Sequence, residues 1–173
     1  MFFLELTTGL RKGELVPLLW SDVDTNNMTI SVSKQAYRSK GEVKVQPPKT
    51  DNSMRKIALS EATMELLKQE HAKHPGNRYL FPSPVTGGMY HPDSVVKLHQ
   101  KILKDAGLEN IRFHDLRHTF ASLALQNGID VKTVSSMLGH SSGGFTLATY
   151  THATNKGQEQ AAAKMGNLLK QAL

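Results

Sequence analysis

A chain of 173 residues without a single cysteine excludes a disulfide scaffold, thiol catalysis and zinc–thiolate sites, and it fits a reducing compartment. Its length is that of one domain, or of a domain with an appendage, and such a chain buries about 70% of its unfolded surface without a staple. With a net charge of +6 and no apolar run near the roughly 18 residues of a membrane span, the chain points toward a polyanionic partner, nucleic acid first.

The excess charge is local. Residues 1–30 hold two basic and four acidic side chains, whereas residues 31–60 hold seven basic ones (Lys34, Arg38, Lys40, Lys44, Lys49, Arg55 and Lys56) against Glu42 and Asp51.

Residues 1–8 read as the end of an apolar helix closed by Gly9, and not as a secretion signal, which would need a basic start and a cleavage site. Opening on a helix with no capping residue ahead of it leads us to expect an upstream part. Residues 11–19 predict a second helix, with Pro17 near enough to its start to be tolerated. Asp24–Asn27 is a turn. Met28–Ser33 alternates apolar and polar residues and predicts a strand. Gly41 marks a turn, Glu42–Val45 a returning strand, Lys49–Ser53 a polar loop and Met54–Leu59 a third strand. Ser60 is an N-cap for a helix from Glu61 to Lys73, ended by Pro75–Gly76. Pro82–His91 is a loop, and Asp93–Ala106 a helix stopped by Gly107. His114–Gln126 predicts a helix with Leu116, Phe120, Leu123 and Ala124 on one face. Asp130 caps a helix over Val131–Leu138 that stops at Gly139. Residues 145–152 and 159–173 predict two more. The class is mostly α with one small antiparallel sheet (α+β), the basic cluster lying on the sheet and its tips.

Taken singly, Arg11, Lys49, His114, Arg117, His140 and Tyr150 are unremarkable surface or core residues. Their settings sharpen them: TTGLRKGELVPLLWSDVD, then PPKT ahead of a strand, then FHDLRHTFASLALQNGIDVKTVSSMLGHSSGGFTLATYTH. Over nearly its whole length the sequence resembles the catalytic domain of the tyrosine recombinases, the phage and transposon integrases. Three blocks stand in order: T-G-L-R-x-G-E-L, the H-x-x-R box, and L-G-H followed ten residues later by Tyr.

That resemblance implies the tyrosine recombinase catalytic-domain fold for residues 1–173, with a core-binding domain upstream in the whole protein. It implies that Arg11 and Arg117 clamp the scissile phosphate, that His114 and His140 are the two histidines of the site, and that Tyr150 is the nucleophile. Glu14 would orient the site. Lys49 is favoured as the hairpin lysine by its place before a strand, with Lys34, Lys40, Lys44 and Lys56 as alternatives. Lys34, Arg38, Lys40, Lys44, Arg55 and Lys56 are the expected DNA contacts. The implied activity is site-specific recombination through a 3′-phosphotyrosine intermediate, integrating or excising a mobile element, with no metal and no cofactor. The implied partners are double-stranded DNA and three further copies in a homotetramer, in the cytoplasm of a bacterial host, at the nucleoid and not at a membrane. The Gly143–Gly144 pair leads us to expect Tyr150 displaced from the arginines without DNA. The 155–173 tail, with Ala161–Ala163, Met165, Leu168, Leu169 and Leu173, is expected to dock on a neighbouring protomer.

The chemistry suits these residues. Guanidiniums are planar forks that match phosphate oxygens and keep their charge. A phenol, with its pKa of about 10, needs nearby positive charge or a base to attack at neutral pH. Three rival readings exist. A zinc site on His114 and His118 lacks the Glu of H-E-x-x-H and has Arg117 beside it. A helix–turn–helix regulator over Gly128–Tyr150 leaves the first arginine block unexplained. A type IB topoisomerase uses the same groups, but the compact spacing and the L-G-H block favour the recombinase.

Overall fold

The computed structural model describes residues 1–48, 53–140, 144 and 146. Its helices are α1 (Phe2–Thr8), α2 (Lys12–Leu15), α3 (Glu61–Ala72), α4 (Pro92–Asp105), α5 (Asp115–Gln126) and α6 (Val131–Leu138), and its strands are β1 (Val23–Asp24), β2 (Thr29–Val32), β3 (Gln35–Ser39), β4 (Glu42–Gln46) and β5 (Arg55–Ala58). Among the described residues no helix is long and apolar enough to cross a membrane. Lys49, Tyr150, the tail from residue 155 and the two last expected helices, apart from Thr146, lie outside the described residues.

The expected α+β class holds, with two corrections. The single sheet is two: a three-stranded antiparallel sheet in the order β1-β2-β5 and a separate β3–β4 hairpin. β2 therefore pairs with β5, Ile30 opposite Ile57, and β4 pairs with β3, a strand that periodicity missed. QAYRS buries only Ala36 and leaves Tyr37 and Arg38 exposed, so it carries no alternation to read. The hairpin turns at Lys40–Gly41, both at positive φ (50° and 88°), between the paired Ser39 and Glu42. Two successive left-handed residues match the twist of the flanking strands.

The second correction is the helix expected over 11–19, which stops at Leu15. Pro17 has no N–H to bond back to Gly13, so the ladder ends with the Val16 N–H on the Lys12 carbonyl. Leu19 then bridges to Tyr79. The caps behave as their residues demand. The Ser60 hydroxyl accepts from the Thr63 N–H and the Asp130 carboxylate from the Thr133 N–H.

One apolar core joins Leu4, Leu10 and Leu15 to Ile30 and Ile57 of the sheet and to Leu116 of α5. A second packs Phe120, Ala121 and Ala124 of α5 against Val134 and Leu138 of α6. The buried face of α5 thus runs through Leu116, Phe120, Ala121 and Ala124, whereas Leu123, expected on that face, is exposed. α1 lies against α5, so the C-terminus of α1 is brought beside that of α6. Both helices end in a glycine at positive φ, Gly9 at 65° and Gly139 at 63°, as a left-handed cap requires.

Candidate active site

An α-helix leaves its last carbonyls without intrahelical partners. At the end of α6 three consecutive ones are taken by three arginines from three different elements. Met137 O accepts from Arg55 Nε at 2.6 Å, Leu138 O from Arg117 Nη2 at 2.7 Å, and Gly139 O from Arg11 Nη2 at 3.3 Å. Arg55 comes from β5, Arg117 from α5, and Arg11 is the N-cap of α2. The negative end of the α6 dipole favours this gathering of cations. The end of α1 adds another acceptor, with Arg117 Nη1 donating to Gly9 O at 2.6 Å.

Glu14 is the counterweight. Its Oε1 accepts from Arg11 Nη1 at 2.9 Å and from Arg55 Nη1 at 3.1 Å. Its Oε2 accepts from Arg55 Nη2 and from the Arg11 backbone N–H, both at 2.9 Å. Burial alone would raise this carboxyl, but the hydrogen bonds and charge of Arg55, then those of Arg11, hold it below its ordinary value. Glu5, also buried, has neither carboxylate oxygen hydrogen-bonded. Burial pushes it up to about 9, against the pull of Arg117. At neutral pH it is protonated, so among the described residues three guanidiniums face one ionised carboxylate. The cluster keeps a positive surplus for an anion.

The two histidines flank Arg117. His140 Nε2 lies 2.9 Å from Arg117 Nη2, and its Nδ1 lies 2.8 Å from the hydroxyl of Thr146. Burial and the charges of Arg117, Arg11 and Arg55 push its pKa down to about 4. His114 stands at the rim just ahead of α5 and meets His118 edge to face at 4.8 Å between ring centres. Desolvation, then the charges of His118, Arg117 and Arg11, lower its pKa. The floor and rim differ in access: Arg117 is only 2% exposed, whereas the Arg11 side chain is 36% exposed.

Arg11, Glu14, His114, Arg117 and His140, spread through 130 residues of sequence, therefore converge on one place. The expected DNA contacts scatter around it. Lys40 and Lys56 are exposed. Arg38 reaches Asp93 at 3.4 Å and Lys44 reaches Glu42 at 3.9 Å, both at the surface. Lys34 is held by both oxygens of Asp22, at 2.7 and 2.6 Å. Arg55 departs from expectation. Its side chain is 6% exposed and bonded to Glu14, Met137 and Ser53, so it is part of the scaffold under Arg11 and not a surface contact. Sequence reasoning also passed over Glu5 and Thr146. Glu5 sits in an apolar stretch, where a lone acid is a signal worth reading, and Thr146 had no signal beyond its place between His140 and Tyr150.

A family model described as the phage integrase family matches residues 1–156. The chain is 30% identical to a tyrosine recombinase XerC-like protein of Caldanaerobacter subterraneus subsp. tengcongensis, over 97% of this chain and 49% of that protein. It is 32% identical to the ICEBs1 integrase of Bacillus subtilis, over 94% of this chain and 46% of that protein. The chain thus spans about half the length of the curated relatives it matches. Among solved structures, the Tn1549 transposon integrase in complex with transposon right end DNA superposes with a TM-score of 0.81 at 26% identity, covering 97% of this chain and 57% of that one. The XerH site-specific recombinase in a post-cleavage complex with its difH substrate gives 0.65 at 28% identity, covering 94% and 44%. With the family model covering nine-tenths of its length and the arginines of the first and second blocks meeting at one helix end, the chain belongs to the phage integrase family.

Proposed function

We propose that the protein carrying this chain is a site-specific DNA recombinase of a bacterial mobile element, and that the arginine-bound end of α6 is where it holds the scissile phosphate. The observation that carries this reading is the three guanidiniums on consecutive carbonyls with, among the described residues, one ionised carboxylate between them. Arg11, the more exposed, takes the non-bridging oxygens from the rim, and Arg117 supports them from the floor. Such preorganised donors are each worth a few kcal/mol in the transition state, about 2.7–4 by analogy with oxyanion-hole deletions.

In the cleavage step the Tyr150 oxygen bonds to phosphorus, its proton passing to a base, while the bond to the 5′-oxygen breaks and that oxygen takes a proton from the hairpin lysine, Lys49 in this reading. The product is a 3′-phosphotyrosine and a free 5′-hydroxyl. Attack by the 5′-hydroxyl of another strand reverses the step, so strands exchange without ATP. The site itself consists of this chain's side chains, and no cofactor enters the scheme. His114, exposed and lowered in pKa, is neutral at physiological pH and suits the base. The relatives are named as integrases and recombinases, and one neighbour is held on a transposon end. That supports DNA as substrate; the reading also takes four copies on two paired sites, the cytoplasm as the place of action, and a longer whole protein in which an upstream domain shares the grip on the duplex.

The test is incubation of the protein with nicked duplexes bearing candidate attachment sites, followed by a denaturing gel. A covalent protein–DNA adduct that disappears in Tyr150→Phe is expected. An adduct that survives Tyr150→Phe, or none on any attachment site of the element that encodes the chain, would overturn the reading.

A further inference from the structure

Thr146 is fully buried, and its hydroxyl has two neighbours. It donates to Ser135 Oγ at 3.1 Å and lies 2.8 Å from His140 Nδ1. A hydroxyl has one proton. With that proton on Ser135, the contact with the ring is made only if Nδ1 carries a hydrogen and Thr146 accepts it. The other side of the ring gives the same answer independently. Arg117 has donors and no acceptor, so the 2.9 Å contact of Nη2 with Nε2 needs a bare lone pair at Nε2. The protons run one way, from Arg117 to His140, from His140 to Thr146, from Thr146 to Ser135.

We infer that Thr146 is the positioning residue of this site: its hydroxyl fixes His140 as the Nδ1–H tautomer, with Nε2 turned to Arg117. The ring is thereby one planar piece of the phosphate floor and cannot itself offer a proton from Nε2 until Arg117 moves. Thr146 is four residues ahead of Tyr150 in the sequence, so the same bond ties the chain shortly before the nucleophile to the histidine. This inference rests on the phosphate-site reading for its kinetic consequence, but not for the tautomer.

The two are tested separately. Imidazole ¹H–¹⁵N correlation spectra of the DNA-free chain, with His140 assigned through His140→Gln, report which nitrogen is protonated. The expected result is a proton at Nδ1 that is protected from exchange in the unmutated chain and in Thr146→Ser and that exchanges fast with water in Thr146→Val. A ring proton at Nε2 in the unmutated chain, or an unchanged Nδ1 signal in Thr146→Val, overturns the inference, and the first of these needs no variant to fold. On the full-length protein, Thr146→Val is expected to slow adduct formation roughly tenfold to a hundredfold, the effect of one buried donor left without an acceptor. DNA affinity should stay within about twofold, and Thr146→Ser should restore the rate. An equal loss in both variants would mark a packing role and overturn it. Absence of any adduct in the unmutated protein bears on the recombinase reading alone and leaves the spectra to decide the tautomer.

Discussion

Arg55 and Glu14, 41 residues apart in sequence, meet as a two-pronged ion pair, Nη1 to Oε1 at 3.1 Å and Nη2 to Oε2 at 2.9 Å. Both side chains are nearly out of solvent. The pair ties β5 to α2, and Arg55 Nε ties both to the end of α6. Arg11 shares the same carboxylate, so the pair also sets where the more exposed arginine stands. Removing one member of a buried pair leaves the other uncompensated, at roughly 3–5 kcal/mol. Arg55→Ala is therefore expected to destabilise the fold by about 3 kcal/mol, near the lower limit because Arg11 remains on Glu14. In urea unfolding, the double variant Arg55→Ala, Glu14→Ala should cost less than the two single losses added. Strict additivity would mean that the pair does not act as a unit.

The two buried acids respond to pH in opposite senses. Glu14 is held below its ordinary value, so its stabilisation is present above its unfolded pKa and is lost as pH falls through the folded one. Glu5 is raised to about 9 from 4.5. Between those values the folded state keeps a proton that the unfolded state has given up, so stability falls as pH rises. Glu5→Gln keeps the shape and removes the titration. It is expected to gain on the unmutated chain steadily from pH 5 to pH 9, by on the order of 5 kcal/mol at pH 8 if the whole shift is realised. Denaturant midpoints across that range measure it, and a constant difference between the two proteins would show that Glu5 does not titrate in the window.

Gly9 is where the turn after α1, the α5–α6 core and the arginine cluster share one atom's worth of space. A Cβ there would stand 2.5 Å from Phe120 and 2.7 Å from Leu138, on a backbone at φ +65°. Its carbonyl also holds Arg117. Gly9→Ala must absorb about 1–2 kcal/mol of left-handed strain and an overpacking of about 1–3 kcal/mol. We expect a loss of roughly 2–5 kcal/mol in stability, together with a weaker response of folding to added phosphate-rich DNA. A variant that unfolds at the same denaturant concentration as the unmutated chain would contradict this geometry.

The legible parts of the molecule were those with local signals. Helix caps at Ser60 and Asp130, stops at Gly9, Gly107 and Gly139, and the alternation in MTISVS each follow from a few neighbouring residues. The two arginine blocks and L-G-H were legible as a family pattern, and the side chains they name do come together. What stayed hidden depends on distance. Strand alternation puts Arg55 on the face of the buried Ile57 and Lys56 on the opposite one, but the partner that takes Arg55 into the scaffold, Glu14, is 41 residues away. The β3 strand was missed because its burial is set by the packing of Ala36 over Gly13, where a Cβ would lie 2.7 Å from the Ala36 carbonyl, and not by its own pattern. Pro17 ends α2 because it lies beyond the first turn of a helix that starts at Lys12, where a missing N–H breaks the ladder.

The last prediction separates the lysines. In the proposed reaction a lysine protonates the departing 5′-oxygen. Its loss slows cleavage of an ordinary phosphodiester but matters little when the bridging atom is sulfur, since a thiolate leaves without a proton. Arg117→Ala should gain little from the sulfur, because its defect lies in charge stabilisation. The structure narrows the choice among the alternatives. Lys34 is fastened to both oxygens of Asp22, which also accepts the Leu19 N–H, so moving it costs a part-buried ion pair. Lys44 sits beside Glu42 on β4, and Lys56 is on β5 with Asp24 near enough to feel its charge. Lys49→Ala in the full-length protein is therefore expected to be slow on the normal substrate and largely restored on the 5′-bridging sulfur substrate, while Lys34→Ala is unaffected by the change of atom. Rescue of Lys44→Ala or Lys56→Ala in place of Lys49→Ala would move the acid to that residue. Rescue of no lysine variant would hand the proton to a histidine, and His114, at the rim and lowered in pKa, would be the next to test.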